Sequence, residues 1–185
     1  MHSIPIYLVR HGEASAHWGQ SADPALSVTG RQQARSAAIF LASKLDRGAQ
    51  LVSSPLARAI QTANPLAELT GNDVIVLKAY GEIPAPVALS QRRGWLRAFM
   101  GKSWQGQDEV LTAWRHALIS EIYATQHPAA IFTHFLVINT LVGHILGTHS
   151  TLSFWPDNAS VTELRLTGGE LEIVALGREM DTVVN

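Results

Sequence analysis

The chain has 185 residues, a net charge of −1 and no cysteine, which favours one domain with a sizeable core. This charge gives no global attraction to nucleic acid or anionic membranes, and the lack of cysteine excludes disulfides, thiolate zinc sites and thiol catalysis. The N-terminus lacks a signal-peptide pattern, and the most apolar helix candidate, residues 135–146, is too short to span a bilayer. We therefore expect a cytoplasmic protein whose anion site, if it has one, is a local cluster of cations.

The first element is an apolar run at 4–9 that has the length and composition of a buried strand. It ends at Arg10, His11, Gly12 and Glu13. Ligands of open α/β sheets bind beyond the carboxyl ends of the strands. A cation beside an imidazole there indicates an anionic ligand with a base or nucleophile aimed at it, and Gly12 would let the backbone turn closely around a bound group. The alternative is a strand end with incidental polar residues.

Strands and helices alternate along the rest of the chain. Short apolar runs predict further buried strands, at 51–53, 74–77 and 129–132. Helical spacing and capping residues predict helices, at 30–45, 109–126 and 135–146, and one that opens at Ser54-Pro55, is kinked or ended by Pro65 and closes by Gly71. Two last strands, 161–166 and 171–176, form a hairpin. The alternation predicts one domain over 1–185, a three-layer α/β/α sandwich with a largely parallel central sheet.

Residues 83–108 are the least regular segment. Pro84 and Pro86 stiffen its start, glycines interrupt its later part, and it mixes cations with aromatic side chains. This composition predicts an insertion or lid over a binding site, although amphipathic surface helices can have the same composition. Arg93 and Arg97 are its candidates for contact with the remote end of a substrate.

Polar residues stand at the ends of four predicted strands, namely Arg10-His11, Ser53-Ser54, Glu82 and Thr133-His134. If the strands are parallel, these residues gather at one edge of the sheet. Arg58, one helical turn beyond Ser54, is close enough to reach the same edge. Two arginines, two histidines and a carboxylate describe a phosphate site with a nucleophile and a proton donor.

Other interpretations of these residues stay open. The two histidines could be structural, and Glu82 could be a surface carboxylate. A zinc site built from His11, His17 and His134 is possible, although helical spacing between metal ligands is absent.

The sequence resembles the histidine phosphatase superfamily, the phosphoglycerate mutase-like group. The resemblance is carried by Arg10-His11-Gly12-Glu13, by 26–34, by the Ser-Ser-Pro-Leu-Ala-Arg helix start within 53–63, by Glu82 and by Thr133-His134. Two positions depart from the pattern. His17, a candidate substrate-binding residue, stands where many members have asparagine. Phe135 stands where many have glycine, which either narrows the pocket beside His134 or turns the ring away from it.

The resemblance implies that His11 attacks a phosphoryl group and becomes transiently phosphorylated. Arg10, Arg58 and His134 would hold the phosphate oxygens, and Glu82 would protonate the leaving oxygen. Two nearby guanidinium groups disfavour an imidazolium, which keeps His11 neutral and nucleophilic. Because the side chains supply the positive charge, no metal and no other cofactor is required.

We therefore expect a metal-independent phosphatase that hydrolyses a small phosphorylated metabolite, with no nucleic acid or membrane partner. The alternatives are a phosphoglycerate mutase-type phosphotransferase, a protein phosphohistidine phosphatase and a non-catalytic phospho-ligand-binding protein. A mutase must retain and reorient a bisphosphate beneath an enclosing cap, and the segment 83–108 is short for that purpose.

Overall fold

The computed structural model describes residues 3–16, 20–46 and 48–180. The strands are β1 (Ser3–Arg10), β2 (Gln50–Ser53), β3 (Val74–Val76), β4 (Ala129–Thr133), β5 (Val161–Thr167) and β6 (Glu170–Ala175). The α-helices are α1 (Val28–Ala42), α2 (Ala57–Thr70), α3 (Arg92–Met100), α4 (Glu109–Tyr123) and α5 (Phe135–Ile145). No helix in the described ranges is long and apolar enough to cross a membrane.

The strands form one sheet in the order β3-β2-β4-β1-β5-β6. The pairs β2–β3, β2–β4 and β1–β4 are parallel, whereas β5 pairs antiparallel with both β1 and β6. The β5–β6 turn places Gly168 and Gly169 at φ values of 60° and 87°, the left-handed backbone that favours glycine in tight hairpins. The predicted mostly parallel sheet with a closing antiparallel hairpin is confirmed.

Side chains of β1 alternate between two apolar layers. Ile6 and Leu8 pack in a cluster with residues of α4 and α5, and Tyr7 and Val9 pack in a second cluster with residues of α1 and α2. Each fully buried aliphatic side chain contributes roughly 1.5–3 kcal/mol to the free energy of unfolding. The sheet is thus covered by helices on both faces, which confirms the predicted α/β/α sandwich.

The segment 83–108 contains one helix that the sequence analysis left out, α3. Three buried side chains of the segment, Ile83 and the α3 residues Leu96 and Phe99, form a third apolar cluster together with Phe135 of α5. The mixed composition of the segment hid this helix, because only one face of a short amphipathic helix is apolar. The packing fixes α3 next to the strand end that carries His134.

The predicted start of the second helix is wrong. The helix begins at Ala57 rather than after Ser54. The Ser54 hydroxyl lies 2.7 Å from His134 Nε2 and accepts the N–H of Leu56 at 3.3 Å, in the turn that precedes the helix. Pro65 lies inside the helix, which continues to Thr70 and closes at Gly71 with φ 73°, so the predicted close at Gly71 is confirmed. Burial of Leu66 one residue later offsets the backbone hydrogen bond that Pro65 cannot make.

Candidate active site

Polar residues that follow three parallel strands lie together at one edge of the sheet. Arg10 of β1 lies opposite Thr133 of β4, and the next residue, His11, donates its backbone N–H to Thr133 O at 2.9 Å. The N–H of Ser54, just past β2, likewise donates to Phe132 O at 2.9 Å. The ladder of the sheet therefore continues past the strands and fixes the backbone at His11 and Ser54.

His11 is held as a neutral imidazole. It is 5% exposed, and its Nδ1 donates to Gly12 O at 2.7 Å, because a carbonyl oxygen can only accept. Arg58 Nε can only donate and lies 3.2 Å from His11 Nε2, so that second nitrogen carries no proton. Burial first, and then the adjacent His134 and Arg58, hold the pKa of His11 well below its ordinary value. The arrangement leaves a lone pair on Nε2.

Gly12 and Gly30 meet where the loop after β1 crosses the start of α1. A Cβ on Gly12 would lie 2.5 Å from Gly30 O, and a Cβ on Gly30 would lie closer still to Glu13 O. The close approach of two backbones is the reason that both positions need glycine. The structure thus gives Gly12 a packing role.

Side chains of α1 and α2 hold the same loop by its backbone N–H groups. Thr62 Oγ1 accepts from the N–H of Gly12 at 3.0 Å and donates to Arg58 O at 2.7 Å. Gln33 Oε1 accepts from the N–H of Glu13 at 2.8 Å. These bonds fix the position of His11 relative to α2 and hence to Arg58.

Arg58 is the hub of the site. Besides its bond to His11, its Nη2 donates to Glu82 Oε2 at 3.2 Å and lies 3.4 Å from His134 Nδ1. Its Nη1 lies 3.8 Å from Asp23 Oδ1, and the same carboxylate oxygen accepts the first N–H of α2 at 2.8 Å. Asp23 therefore fixes both the start of the helix and the arginine that the helix carries.

Arg10 forms one wall of the site. Its Nη1 donates to Pro156 O at 2.9 Å and to Met180 Sδ at 3.2 Å, and its guanidinium carbon lies 5.3 Å from the centre of the Phe135 ring. Phe135 therefore supports Arg10. The Nε of Arg10 is buried and has no hydrogen-bond partner among the described residues. Burial lowers the pKa of Arg10 to about 10, so the side chain remains a cation at neutral pH.

Glu82 lies between Arg58 and His134. Its side chain is 6% exposed, and Oε2 lies 3.2 Å from Arg58 Nη2 and 3.5 Å from His134 Nδ1. The hydroxyl of Thr133 donates to Tyr80 O at 2.7 Å, which ties the chain just before Glu82 to the end of β4. The carboxylate is therefore positioned by the neighbouring strand.

His134 is fully buried beside His11, with ring centres 5.3 Å apart. Its Nε2 lies 2.7 Å from Ser54 Oγ. Burial, and then the charges of Arg58 and Arg92, hold the pKa of His134 well below its ordinary value. Two neutral imidazoles thus lie among guanidinium groups.

The structure brings five of the candidate residues together: Arg10, His11, Arg58, Glu82 and His134. The side chains of Arg93 and Arg97 are exposed on α3 and make no hydrogen bond or ion pair with the described residues. The half-buried Arg92, which the sequence analysis passed over, is the α3 arginine whose charge acts on His134. His17 lies outside the described residues.

Asp23 and Thr62 are further site residues that the sequence analysis missed. Thr62 stands four residues after Arg58 on α2, so helical spacing could have found it. Asp23 precedes α1 in an irregular loop and carries no periodic signal.

The assembled site can hold a tetrahedral anion between guanidinium groups and present the lone pair of His11 Nε2 to its central atom. Glu82 lies on the same side, within hydrogen-bond distance of Arg58. Among residues 3–16, 20–46 and 48–180, no group of three or more histidine, aspartate or glutamate side chains is placed to hold a metal ion.

The sequence profile of the histidine phosphatase superfamily (branch 1) matches residues 6–179. No curated protein matches the chain. A solved mycobacterial glucosyl-3-phosphoglycerate phosphatase is 21% identical, with a TM-score of 0.74 over 96% of this chain and 100% of that one.

An Entamoeba histolytica phosphoserine phosphatase in complex with 3-phosphoglyceric acid is 20% identical, with a TM-score of 0.74 over 96% of this chain and 98% of that one. A Bacillus anthracis phosphoglycerate mutase has the same TM-score of 0.74 at 20% identity, over 94% of this chain and 92% of that one. At these identities the likeness establishes the fold.

Proposed function

The chain belongs to branch 1 of the histidine phosphatase superfamily, and we propose that it is a metal-independent phosphatase that hydrolyses a small phosphorylated metabolite through a phosphohistidine at His11. Its class is then phosphoric monoester hydrolase. The observation that carries the proposal is the unprotonated Nε2 of His11, which faces Arg58 while the buried Nε of the adjacent Arg10 lacks a partner among the described residues. A bound phosphate would satisfy both guanidinium groups.

Substrate binding comes first in the proposed mechanism. Phosphoryl oxygens accept hydrogen bonds from Arg10, Arg58 and His134, which neutralise their charge and set the phosphorus in front of His11. Arg58 Nε transfers its hydrogen bond from His11 Nε2 to a phosphoryl oxygen. This transfer frees the lone pair for attack.

His11 Nε2 then forms a bond to phosphorus as the bond from phosphorus to the leaving oxygen breaks. Glu82, in its protonated form, gives its proton to that oxygen. Gly12 O continues to accept the hydrogen bond from Nδ1 and so stabilises the positive charge that the imidazole ring acquires. In the second half of the reaction a water molecule attacks phosphorus, Glu82 takes its proton, and the phosphorus–nitrogen bond breaks.

The substrate is proposed to carry a second anionic group. Arg92 is half-buried beside the site, which makes it a better candidate than Arg93 or Arg97 for contact with a carboxylate. Two of the structural neighbours fit this class by name, since one is a phosphatase of glucosyl-3-phosphoglycerate and the other of phosphoserine.

A mutase is the second candidate, because the neighbours include a phosphoglycerate mutase. Between Ile83 and Asp108 the chain forms one nine-residue α-helix and a short 3-10 turn, which is little material for enclosing a bisphosphate while it reorients. Following phosphate release and isomerisation side by side on 3-phosphoglycerate separates the two. Isomerisation that outruns hydrolysis would overturn the phosphatase proposal.

The test of the nucleophile compares His11→Asn with His116→Asn, an exposed histidine of α4. We expect H11N to lose turnover of an aryl phosphate while H116N keeps it. Phosphoenzyme trapped from the parent protein should be acid-labile and alkali-stable, as a phosphoramidate is. An acid-stable phosphoprotein, or H11N with near-normal turnover, would contradict the assignment.

A further inference from the structure

The guanidinium group of Arg10, which forms one wall of the site, contacts the thioether of Met180. Arg10 Nη1 donates to Met180 Sδ at 3.2 Å as well as to Pro156 O at 2.9 Å. A thioether sulfur is a weak acceptor, so this bond leaves most of the charge of Arg10 available to a phosphate. The sulfur nevertheless lies at hydrogen-bond distance from a cation of the proposed phosphate site.

The sulfur is held in this place by the backbone. Met180 donates its N–H to Trp155 O at 2.8 Å, and Asp157 donates its N–H to Arg178 O at 2.8 Å. An ion pair of 2.7 Å between Arg178 Nη2 and Asp157 Oδ2 also joins these two segments, 155–157 and 178–180. Met180 is still 37% exposed, which gives a small oxidant access to this side chain.

We propose that Met180 is an oxidation site whose sulfoxide weakens anion binding at Arg10, an inference that rests on the phosphate site proposed above. Hydrogen peroxide supplies the oxidant. The sulfur lone pair attacks one peroxide oxygen and the oxygen–oxygen bond breaks. The proton on the attacked oxygen passes to the departing hydroxide, which leaves as water, so that the thioether is oxidised to a sulfoxide and the peroxide is reduced.

The sulfoxide changes what Arg10 can offer a substrate. A sulfoxide oxygen is a much stronger acceptor than a thioether, and it stands at the sulfur that already contacts Nη1. It therefore competes with the phosphoryl oxygens for the same guanidinium group. A hydrogen bond to a charged group is strong enough that we expect the Kd for inorganic phosphate to rise about tenfold on oxidation.

The composition of the chain makes the effect traceable. The chain has no cysteine and three methionines, so mild peroxide treatment cannot act through a thiol. Met100 closes α3 and is half-buried, which makes it the matched control for Met180.

The experiment treats the whole protein with peroxide, locates the added oxygen by mass spectrometry, and measures the Kd of inorganic phosphate by calorimetry. Each variant is compared with its own untreated sample. Oxidation should raise the Kd in the parent protein and in Met100→Leu but not in Met180→Leu. Methionine sulfoxide reductases should restore the original Kd, and Met180→Gln, whose amide oxygen imitates the sulfoxide, should bind phosphate weakly without oxidation.

A Kd that is unchanged although Met180 is oxidised would overturn the inference alone, as would an equal rise in M180L or a Met180 that resists peroxide. Failure of the untreated protein to bind phosphate would overturn the proposed function together with this inference. The two failures are thus distinguishable without any assay of turnover.

Discussion

Arg58 Nε lies 3.2 Å from His11 Nε2, so the cation proposed to bind the phosphate also covers the lone pair proposed to attack it. An arriving anion must draw the Arg58 donor away before the nitrogen is free. Binding of the phosphoryl group and exposure of the nucleophile are therefore one event.

This coupling predicts that the shape of Arg58 matters as much as its charge. Arg58→Lys keeps a cation but cannot reach His11, Glu82 and Asp23 at once, since a lysine has one ammonium group in place of a planar fork. We expect kcat/KM on nitrophenyl phosphate to fall about 100-fold. Arg35→Lys, on the exposed face of α1, is the control. R58K within threefold of the parent protein would show that Arg58 acts as a point charge only.

Glu82 should matter in proportion to the need of the leaving group for a proton. Loss of a general acid typically costs about two to four orders of magnitude in rate. Glu82→Gln should therefore slow hydrolysis of an alkyl phosphate strongly and hydrolysis of nitrophenyl phosphate only weakly. Glu68→Gln, an exposed carboxylate of α2, should affect neither. Equal losses on both substrates would show that Glu82 is not the acid.

Arg92 is expected to contact the second anion of the substrate. Arg92→Ala should raise KM for 3-phosphoglycerate about tenfold through loss of a charged hydrogen bond, and leave nitrophenyl phosphate nearly unchanged. Arg93→Ala removes an exposed arginine from the neighbouring position and serves as the control. If Arg93→Ala raises KM and Arg92→Ala does not, Arg93 rather than Arg92 contacts the second anion.

The two buried histidines should make stability depend on pH below neutrality. Burial holds the pKa of His11 and of His134 below the ordinary value, so between about pH 6.5 and these lower pKa values only the unfolded chain takes up their protons. The free energy of unfolding should therefore fall as the pH falls below about 6.5, by at most about 1.4 kcal/mol per pH unit for each histidine.

Urea unfolding at several pH values measures this slope. His134→Asn should flatten it, and the exposed His116→Asn should leave it unchanged. A slope in H134N equal to that of the parent protein would mean that His134 is protonated in the folded state too.

The Gly12–Gly30 crossing should tolerate no side chain. A Cβ at Gly30 would meet the backbone oxygen of Glu13, which cannot move aside as a flexible side chain can. Gly30→Ala should destabilise the fold by about 1–3 kcal/mol, as overpacking does. At Gly94 in α3 an added Cβ meets nothing within 4 Å, so Gly94→Ala should stabilise by about 0.5–1 kcal/mol. Thermal unfolding of both variants measures these two changes in stability.

The sequence predicts the layers and the parallel sheet because apolar runs such as 129–132 are unambiguous and strand ends of a parallel sheet must meet at one edge. Arg58 was predictable as well, since it lies one helical turn beyond a strand end. These features can be predicted because local periodicity locates the strands and helices, and a general rule of topology places the strand ends at one edge.

Other contacts carried no such signal. The choice between Arg92 and Arg93 depends on the rotation of α3, and a short helix in an irregular segment does not reveal its phase. The Met180–Arg10 contact depends on tertiary pairing of two loops that periodicity cannot predict. Ser54-Pro55 has the sequence pattern of a helix start, but α2 begins later, because the Ser54 hydroxyl contacts His134 Nε2 and accepts the N–H of Leu56 in the turn before the helix.

The strand that carries the proposed nucleophile is completed late in the chain. Ile6 of β1 pairs with Ala129 of β4 on one side and with Leu164 of β5 on the other, and neither β2 nor β3, the next two strands along the chain, is its neighbour. During synthesis on the ribosome, β1 therefore has no partner strand until most of the chain has emerged. Both of its edges can meanwhile pair with other unpaired strands. The proposed phosphate site is therefore incomplete until β4 and β5 have been synthesised.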